Sequence, residues 1–278
     1  MSRKQKPKKK SVPPAGNKKR RLVPGTAQQT IPYRAMHPDG VCQLLPPRPG
    51  DPHYYTKTVQ FEDVNYAVAS SDDQAGIFDG YCSFLNYFDC AVPFQMSFTG
   101  RRSHRSDRYK SNIAMQNDDC NSIRHEFTGI LDRLFAQSNN GLVRSRDVTI
   151  GLTAESLAAA RPRLERVEAD VMGNFKKLGA VSRVLNGRDR LEVLHGLLHP
   201  GSREPFRFSW ADIPGTGMST KDFIAPTSFD FRQSRLFRVG NTWGAASYLQ
   251  ITASELSDRL LSELLEMDAE MTVTLHVQ

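Results

Sequence analysis

Residues 30–64 open with TIPYRAMHPDGVCQLL (30–45) and close with YYTKTVQFEDV (54–64). The first string sets Pro38-Asp39-Gly40 between two short apolar runs, the chemistry of a tight turn joining two strands. The second is rich in aromatic and β-branched residues and reads as a further strand. A chain that begins with a hairpin and then a strand predicts a sheet that is antiparallel at its start.

Outward from this stretch the apolar period changes from two to nearly four. Ser71, Asp72 and Asp73 suit a helix N-terminus. Ile77, Tyr81, Phe84, Leu85 and Phe88 then fall on one helical face. AVPFQMSF (91–98) reads as a strand and the polar, basic residues 99–112 as a loop. A second helix is predicted over 119–137, with Ile123, Phe127, Ile130, Leu131 and Leu134 as its buried stripe and Asn139-Asn140-Gly141 as its stop. LVRSRDVTIGL (142–152) reads as a strand. The longest helical pattern spans 154–178, with Leu157, Ala160, Leu164, Val167, Val171 and Leu178 on its apolar face. Pro162 should break or kink it, or stand at the first position of a second helix.

AVSRVL (180–185) reads as a short strand and 188–199 as a short helix. Strands are expected near 206–210, 228–233, 235–239 and 243–251, then a helix over 254–267 and a last strand, MTVTLHV (271–277). Strands and helices are mixed, with several hairpin-like pairs. The expected fold is therefore α+β: a mainly antiparallel sheet with packed helices over residues 31–278, preceded by a disordered basic tail over 1–30.

That tail carries the charge. Of the 37 Lys and Arg in the 278 residues, ten lie in the first 21, where there is no acidic residue; the other 27 face 30 acidic ones. The sequence pI of about 9.3 is thus a property of the tail, not of the folded part. Lys8, Lys9 and Lys10, then Lys18, Lys19, Arg20 and Arg21, form two clusters that could contact phosphates or anionic lipid head groups. No aromatic residue is interleaved before Tyr33, so stacking on single-stranded nucleic acid has no basis there. Cys42, Cys82, Cys90 and Cys120 form no C-x-x-C pair, and the N-terminus has no apolar signal core. Both features point to a reducing, cytoplasmic setting. No run approaches the length of a membrane-spanning helix.

Catalytic patterns are sparse. No segment matches the P-loop pattern, in which a Gly-rich loop is followed by Lys and then Ser or Thr. PGTGMSTKD (214–222) approaches it, but Lys221 precedes Asp222, and a flexible turn is the simpler reading. His195 and His199 share a helical face with Glu192, a spacing that metals use, without a third ligand close by. No nucleophile elbow is present, and Cys82 and Cys90 read as core thiols.

Taken in order, QQTIPYRAMHPDGVCQL (28–44), YTKTVQFEDVNYAVA (55–69), FLNYFDCAVPFQMSF (84–98), NNGLV (139–143), ARPRLERVEADVMGNFKKLG (160–179), PFRFSWAD (205–212), TKDFIAPTSFDFR (220–232) and GAASYLQITASELSDRLLSELLEMD (244–268) resemble the N-terminal region of TraE/TrsE-type conjugal transfer proteins. These are the Vir-type energising ATPases of Gram-positive integrative and conjugative elements, mobile elements that transfer DNA through a type IV secretion system.

The resemblance implies several things. Full-length members continue for several hundred residues, and their Walker motifs, which hold ATP and Mg, lie in that later part. The chain is expected to be cut off before its nucleotide-binding domain. No catalytic, cofactor or metal position is therefore carried over, and no enzyme activity is expected of the chain alone. The N-terminal region would dock the motor, from the cytoplasm, on channel subunits at the inner face of the membrane, and would help it self-associate. Leu260, Leu261, Leu264 and Leu265, with Met271, Val273, Leu275 and Val277 along the last strand, are the apolar surface expected to serve this. Burial against the preceding strands is the alternative. The alternative function is a nucleic-acid-binding accessory protein acting through the basic tail.

Overall fold

A computed structural model describes residues 25–277 apart from 47, 49, 65, 89–91, 103–112, 138–141, 202–205, 215–216, 251–258 and 268. The basic clusters at 8–10 and 18–21, Cys90 and the proposed Asn139-Asn140-Gly141 stop lie outside the described residues.

After a single helical turn, α1 (Ala27–Thr30), the hairpin forms as the sequence predicts: β1 (Tyr33–Met36) pairs with β2 (Cys42–Leu44). Gly40 closes the turn at φ +84°, where a side chain would be strained. Next come β3 (His53–Phe61), α2 (Ser71–Tyr87), β4 (Phe94–Arg102), α3 (Asn121–Gln137), β5 (Leu142–Ala154), α4 (Leu157–Lys177), β6 (Ser182–Val184) and α5 (Gly187–Leu198). Three short strands, β7 (Phe229–Asp230), β8 (Phe237–Val239) and β9 (Thr242–Gly244), form a separate small sheet. The described part ends with α6 (Arg259–Glu266) and β10 (Met271–Val277).

The main sheet has the order β1-β2-β3-β5-β4-β10, with β6 pairing β3 on the same side as β2. Every pairing is antiparallel. Period-two alternation gives the sheet two unlike faces. One presents Tyr55, Val59, Phe94, Met96, Val148, Ile150 and Leu152, which bury against Ala160, Leu164, Val171 and Phe175 of α4 and Phe84 of α2. The other is polar: Thr58 pairs with Thr149 (2.9 Å), Gln60 with Asp147 (3.2 Å) and Thr99 with Thr272 (3.2 Å). A second core forms where Leu191 of α5 meets Ile31, Tyr33, Met36, Cys42, Phe208 and Ile224. The α+β, mainly antiparallel expectation is therefore met.

Several local expectations need correction. The helix at 154–178 is not broken: α4 starts behind the Ser156 cap, whose side chain accepts from Ala159 N–H, and runs through Pro162. Near an N-terminus a proline costs one backbone hydrogen bond, and burial of the residues around it offsets that. Ser70, not Ser71, caps α2. Residues 99–102 extend β4 rather than opening a loop, because β5 offers them partners out to Leu142. FRFSW (206–210) is no strand: residues 206–209 are irregular and lead into a 3-10 turn, Trp210–Asp212, with Phe208 plugging the second core. The strand expected over 243–251 stops at Gly244. Of the predicted buried stripe of α3, Ile123, Phe127 and Ile130 stand on the surface, 65%, 49% and 40% exposed, and Leu131 is half-buried.

Candidate functional site

The polar face of the main sheet is not fully covered. Between it and the layer made by α5 and the β7–β9 sheet lies a cleft of about 930 Å³. Its floor is Gln60, Thr99, Ser145 and Thr272. Asp189, Glu192, Val193 and Gly196 of α5 form one wall, and Phe237, Thr242, Trp243 and Gly244 form the other. α5 is set in place by Asn186, whose side chain accepts from Asp189 N–H, and by Arg190. The Arg190 guanidinium donates to Gly40 O (2.7 Å), Thr56 O (2.8 Å) and Thr56 Oγ1 (3.0 Å), tying the helix to the hairpin and to β3.

A polar chain runs from the floor to the wall. Gln60 Nε2 donates to Asp147 Oδ1. Gln60 Oε1 accepts from Arg183 Nε (3.0 Å) and Nη2 (2.7 Å), and Arg183 Nη1 donates to Asp189 Oδ2 at 2.9 Å. Asp147 is buried, and burial lifts its carboxyl to about pH 6, against the opposing pull of the Gln60 hydrogen bond and the charges of Arg183 and Arg190. Nearby, Arg146 pairs with Asp63 (2.6 Å), Arg144 donates to Leu265 O, and Glu270 accepts from Gly201 N–H.

The lining holds Arg101, Arg144, Arg146 and Arg183 against Glu62, Asp63, Asp189, Glu192 and Glu270. That balance is opposite in sign to a track for a phosphate backbone. Exposed Trp243 gives the rim an aromatic group of the kind enriched in protein–protein contacts.

The sequence candidates fall elsewhere. Lys221 is held as a structural group: its Nζ donates to Ile31 O (3.0 Å) and lies 5.3 Å from the centre of the Tyr33 ring. Ser219 donates through both N–H and Oγ to Asp222 Oδ2, and Thr220 Oγ1 lies 2.9 Å from Tyr33 Oη. Residues 219–222 are therefore a braced turn rather than a flexible one. His195 and His199 stack with ring centroids 4.1 Å apart, and His195 also packs on Phe206. No group of three metal-ligating side chains occurs among the described residues. Cys42 is buried, Cys82 is half-buried and Cys120 is exposed. No described helix is long and apolar enough to cross a membrane.

Sequence reading missed Asp147, Gln60, Arg183 and Arg190. The signal for Asp147 was there: it alternates with Val148 and Ile150 in a buried strand, so it must face the other side. Nothing in the sequence shows that this other side is covered. The chain matches no protein-family model and no curated protein sequence.

Proposed function

We propose that this protein is a non-catalytic docking and assembly module of a conjugal-transfer motor, working from the cytoplasm against the inner face of the cell membrane. The ordered resemblance to TraE/TrsE-type proteins supplies the system. The observation that carries the docking role is the apolar face of α3, where Ile123, Phe127 and Ile130 follow at helical spacing and stand on the surface. Large side chains grouped in this way mark sites that another macromolecule covers. On this reading ATP and Mg are held by a different part of the motor, and the chain contacts subunits of the type IV secretion channel.

The test is co-purification of the tagged full chain with channel subunits from membranes, beside a variant carrying Ile123→Asp and Phe127→Asp. Recovery of the wild type, with a loss of roughly tenfold or more in the variant and an unchanged circular dichroism spectrum, is the expected result. Failure of the wild type to co-purify with any channel subunit overturns the reading. The second reading, a nucleic-acid accessory protein, rests on the ten basic residues of the tail. Deletion of residues 1–27 would then abolish DNA binding while leaving the fold intact.

A further inference from the structure

We infer that the outer edge of β10 pairs with β10 of a second copy, joining two main sheets into one across a twofold axis at Thr274. This deepens the assembly reading above and rests on it. β10 ends the strand order, so among the described residues only β4 pairs with it. Its backbone is regular from Met271 to Val277, opposite Gly100 to Phe94 without a register shift. It carries no Lys, Arg, Asp, Glu, Pro or Gly.

An edge of that kind is a template for another strand, and folded proteins normally blunt it with charge, proline, a bulge or shortness. The far edge of the same sheet is blunted in that way. β1 has four residues, includes Arg34, and breaks register between Tyr33 and Ala35. The contrast within one sheet marks β10 as an edge kept open for a partner.

The strand is also self-complementary. In an antiparallel pair centred on Thr274, Val273 faces Leu275 of the second copy, Met271 faces Val277, and Thr272 faces His276. Val273 and Leu275 stand opposite Phe98 and Met96, on the face that bears the main core, so the two apolar faces run on into each other. Leu275 is 48% exposed in the single chain and would gain cover. No pair sets like charges of acidic or basic side chains against each other, and the ladder would add roughly six to eight N–H···O bonds.

Thr274 is exposed, on the polar face, so a charged side chain fits there in the free chain. At the axis it meets its own copy. Thr274→Lys and Thr274→Glu should therefore each weaken dimerisation by at least about tenfold, and mixing the two should restore it. Sedimentation equilibrium of the full chain from about 1 to about 100 µM reads this directly. The expected wild-type mass rises toward twice 31.2 kDa. Each variant alone should stay at one chain, and the equimolar mixture should return to two. Circular dichroism checks the fold. Should the charged variants fail to fold, Thr274→Cys should give a reducible cross-linked dimer that the wild-type chain, treated with the same oxidant, does not.

A wild type of single-chain mass throughout overturns the pairing, as does a dimer that persists unchanged in both variants or a mixture that stays monomeric. A monomeric wild type that still co-purifies with channel subunits leaves the docking role standing. A dimer with the charge-swap pattern but no co-purification leaves the pairing standing and removes the docking role.

Discussion

Gln60 Nε2 donates to Asp147 Oδ1 at 3.2 Å while its own Oε1 is held by Arg183, so the amide is fixed in orientation and, among the described residues, Asp147 receives a single side-chain hydrogen bond in a buried site. That is too little to compensate an ionised carboxylate, and its carboxyl is accordingly raised to about pH 6. A folded-state value above the unfolded one means that the native protein binds this proton more tightly. The contribution to stability therefore falls as pH rises from about 4 to about 6, and the penalty is fully present above that window. Asp147→Asn, which keeps an acceptor for Gln60, is expected to raise stability at pH 7.5 by about 1–3 kcal/mol and to flatten the pH dependence between 4 and 6. Urea unfolding at several pH values checks both. An Asn variant less stable than the wild type at pH 7.5 would contradict the argument.

Buried Lys57 and half-buried Glu168 form the opposite case, a well-matched pair. Lys57 Nζ lies 2.5 Å from Glu168 Oε2, joining β3 to α4 beneath the apolar face. Loss of one partner leaves a cation with nothing to offset its desolvation, so Glu168→Leu is expected to cost about 3 kcal/mol. The double variant Lys57→Met with Glu168→Leu should recover most of that loss. A double-mutant cycle from denaturant midpoints measures the coupling. Additive losses would show that the pair carries no interaction.

The hairpin turn has a partner that its sequence does not reveal. A Cβ on Gly40 would stand 2.2 Å from Leu185 O, and one on Gly187 would stand 2.1 Å from His37 O, while Gly187 N–H donates to Pro38 O. The two glycines let the β1–β2 turn and the start of α5 touch backbone to backbone. Gly40→Ala and Gly187→Ala are each expected to destabilise by about 2–4 kcal/mol, with Gly40→Ala also paying for its positive φ. Thermal unfolding measures this; a change below about 0.5 kcal/mol in either would mean that the contact relaxes freely.

These three cases show where sequence reading reaches. Local chemistry was legible: Pro38-Asp39-Gly40 announced a turn, the aromatic and β-branched residues of 54–64 announced a strand, and Leu164 and Val171 announced the buried face of α4. Partners distant in sequence were not legible. The period of Ile123, Phe127 and Ile130 describes an amphipathic helix equally well whether its face is buried or open, and burial was the wrong choice. Phe206, Phe208 and Trp210 alternate like a strand, yet they fill an irregular segment whose aromatic rings seal the second core. The cleft depends on α5 and the small sheet standing over one face of the main sheet, and no short stretch encodes that arrangement.

Lys221 permits a sharp test because its residue type, behind two glycines, suggests nucleotide chemistry while its surroundings assign it to the fold. Its ammonium is engaged by Ile31 O and the Tyr33 ring, and burial lowers its pKa. Tyr33 is itself pushed up to about 12, chiefly by burial, so its phenol stays neutral and keeps its hydrogen bond with Thr220 across the physiological range. A lysine needed to hold phosphates would have to leave this site and give up a carbonyl partner and a cation–π contact, each worth about 0.5–1.5 kcal/mol. Lys221→Met is therefore expected to lower stability by about 1–2 kcal/mol by uncovering Ile31 O, and Tyr33→Phe by about 1 kcal/mol. ATP with Mg should leave the melting temperature of the wild type unchanged, because a ligand that does not bind the folded state cannot stabilise it. Differential scanning fluorimetry with and without millimolar nucleotide reads both effects. A nucleotide-dependent rise in melting temperature that Lys221→Met removes would return this lysine to phosphate binding and overturn its structural assignment.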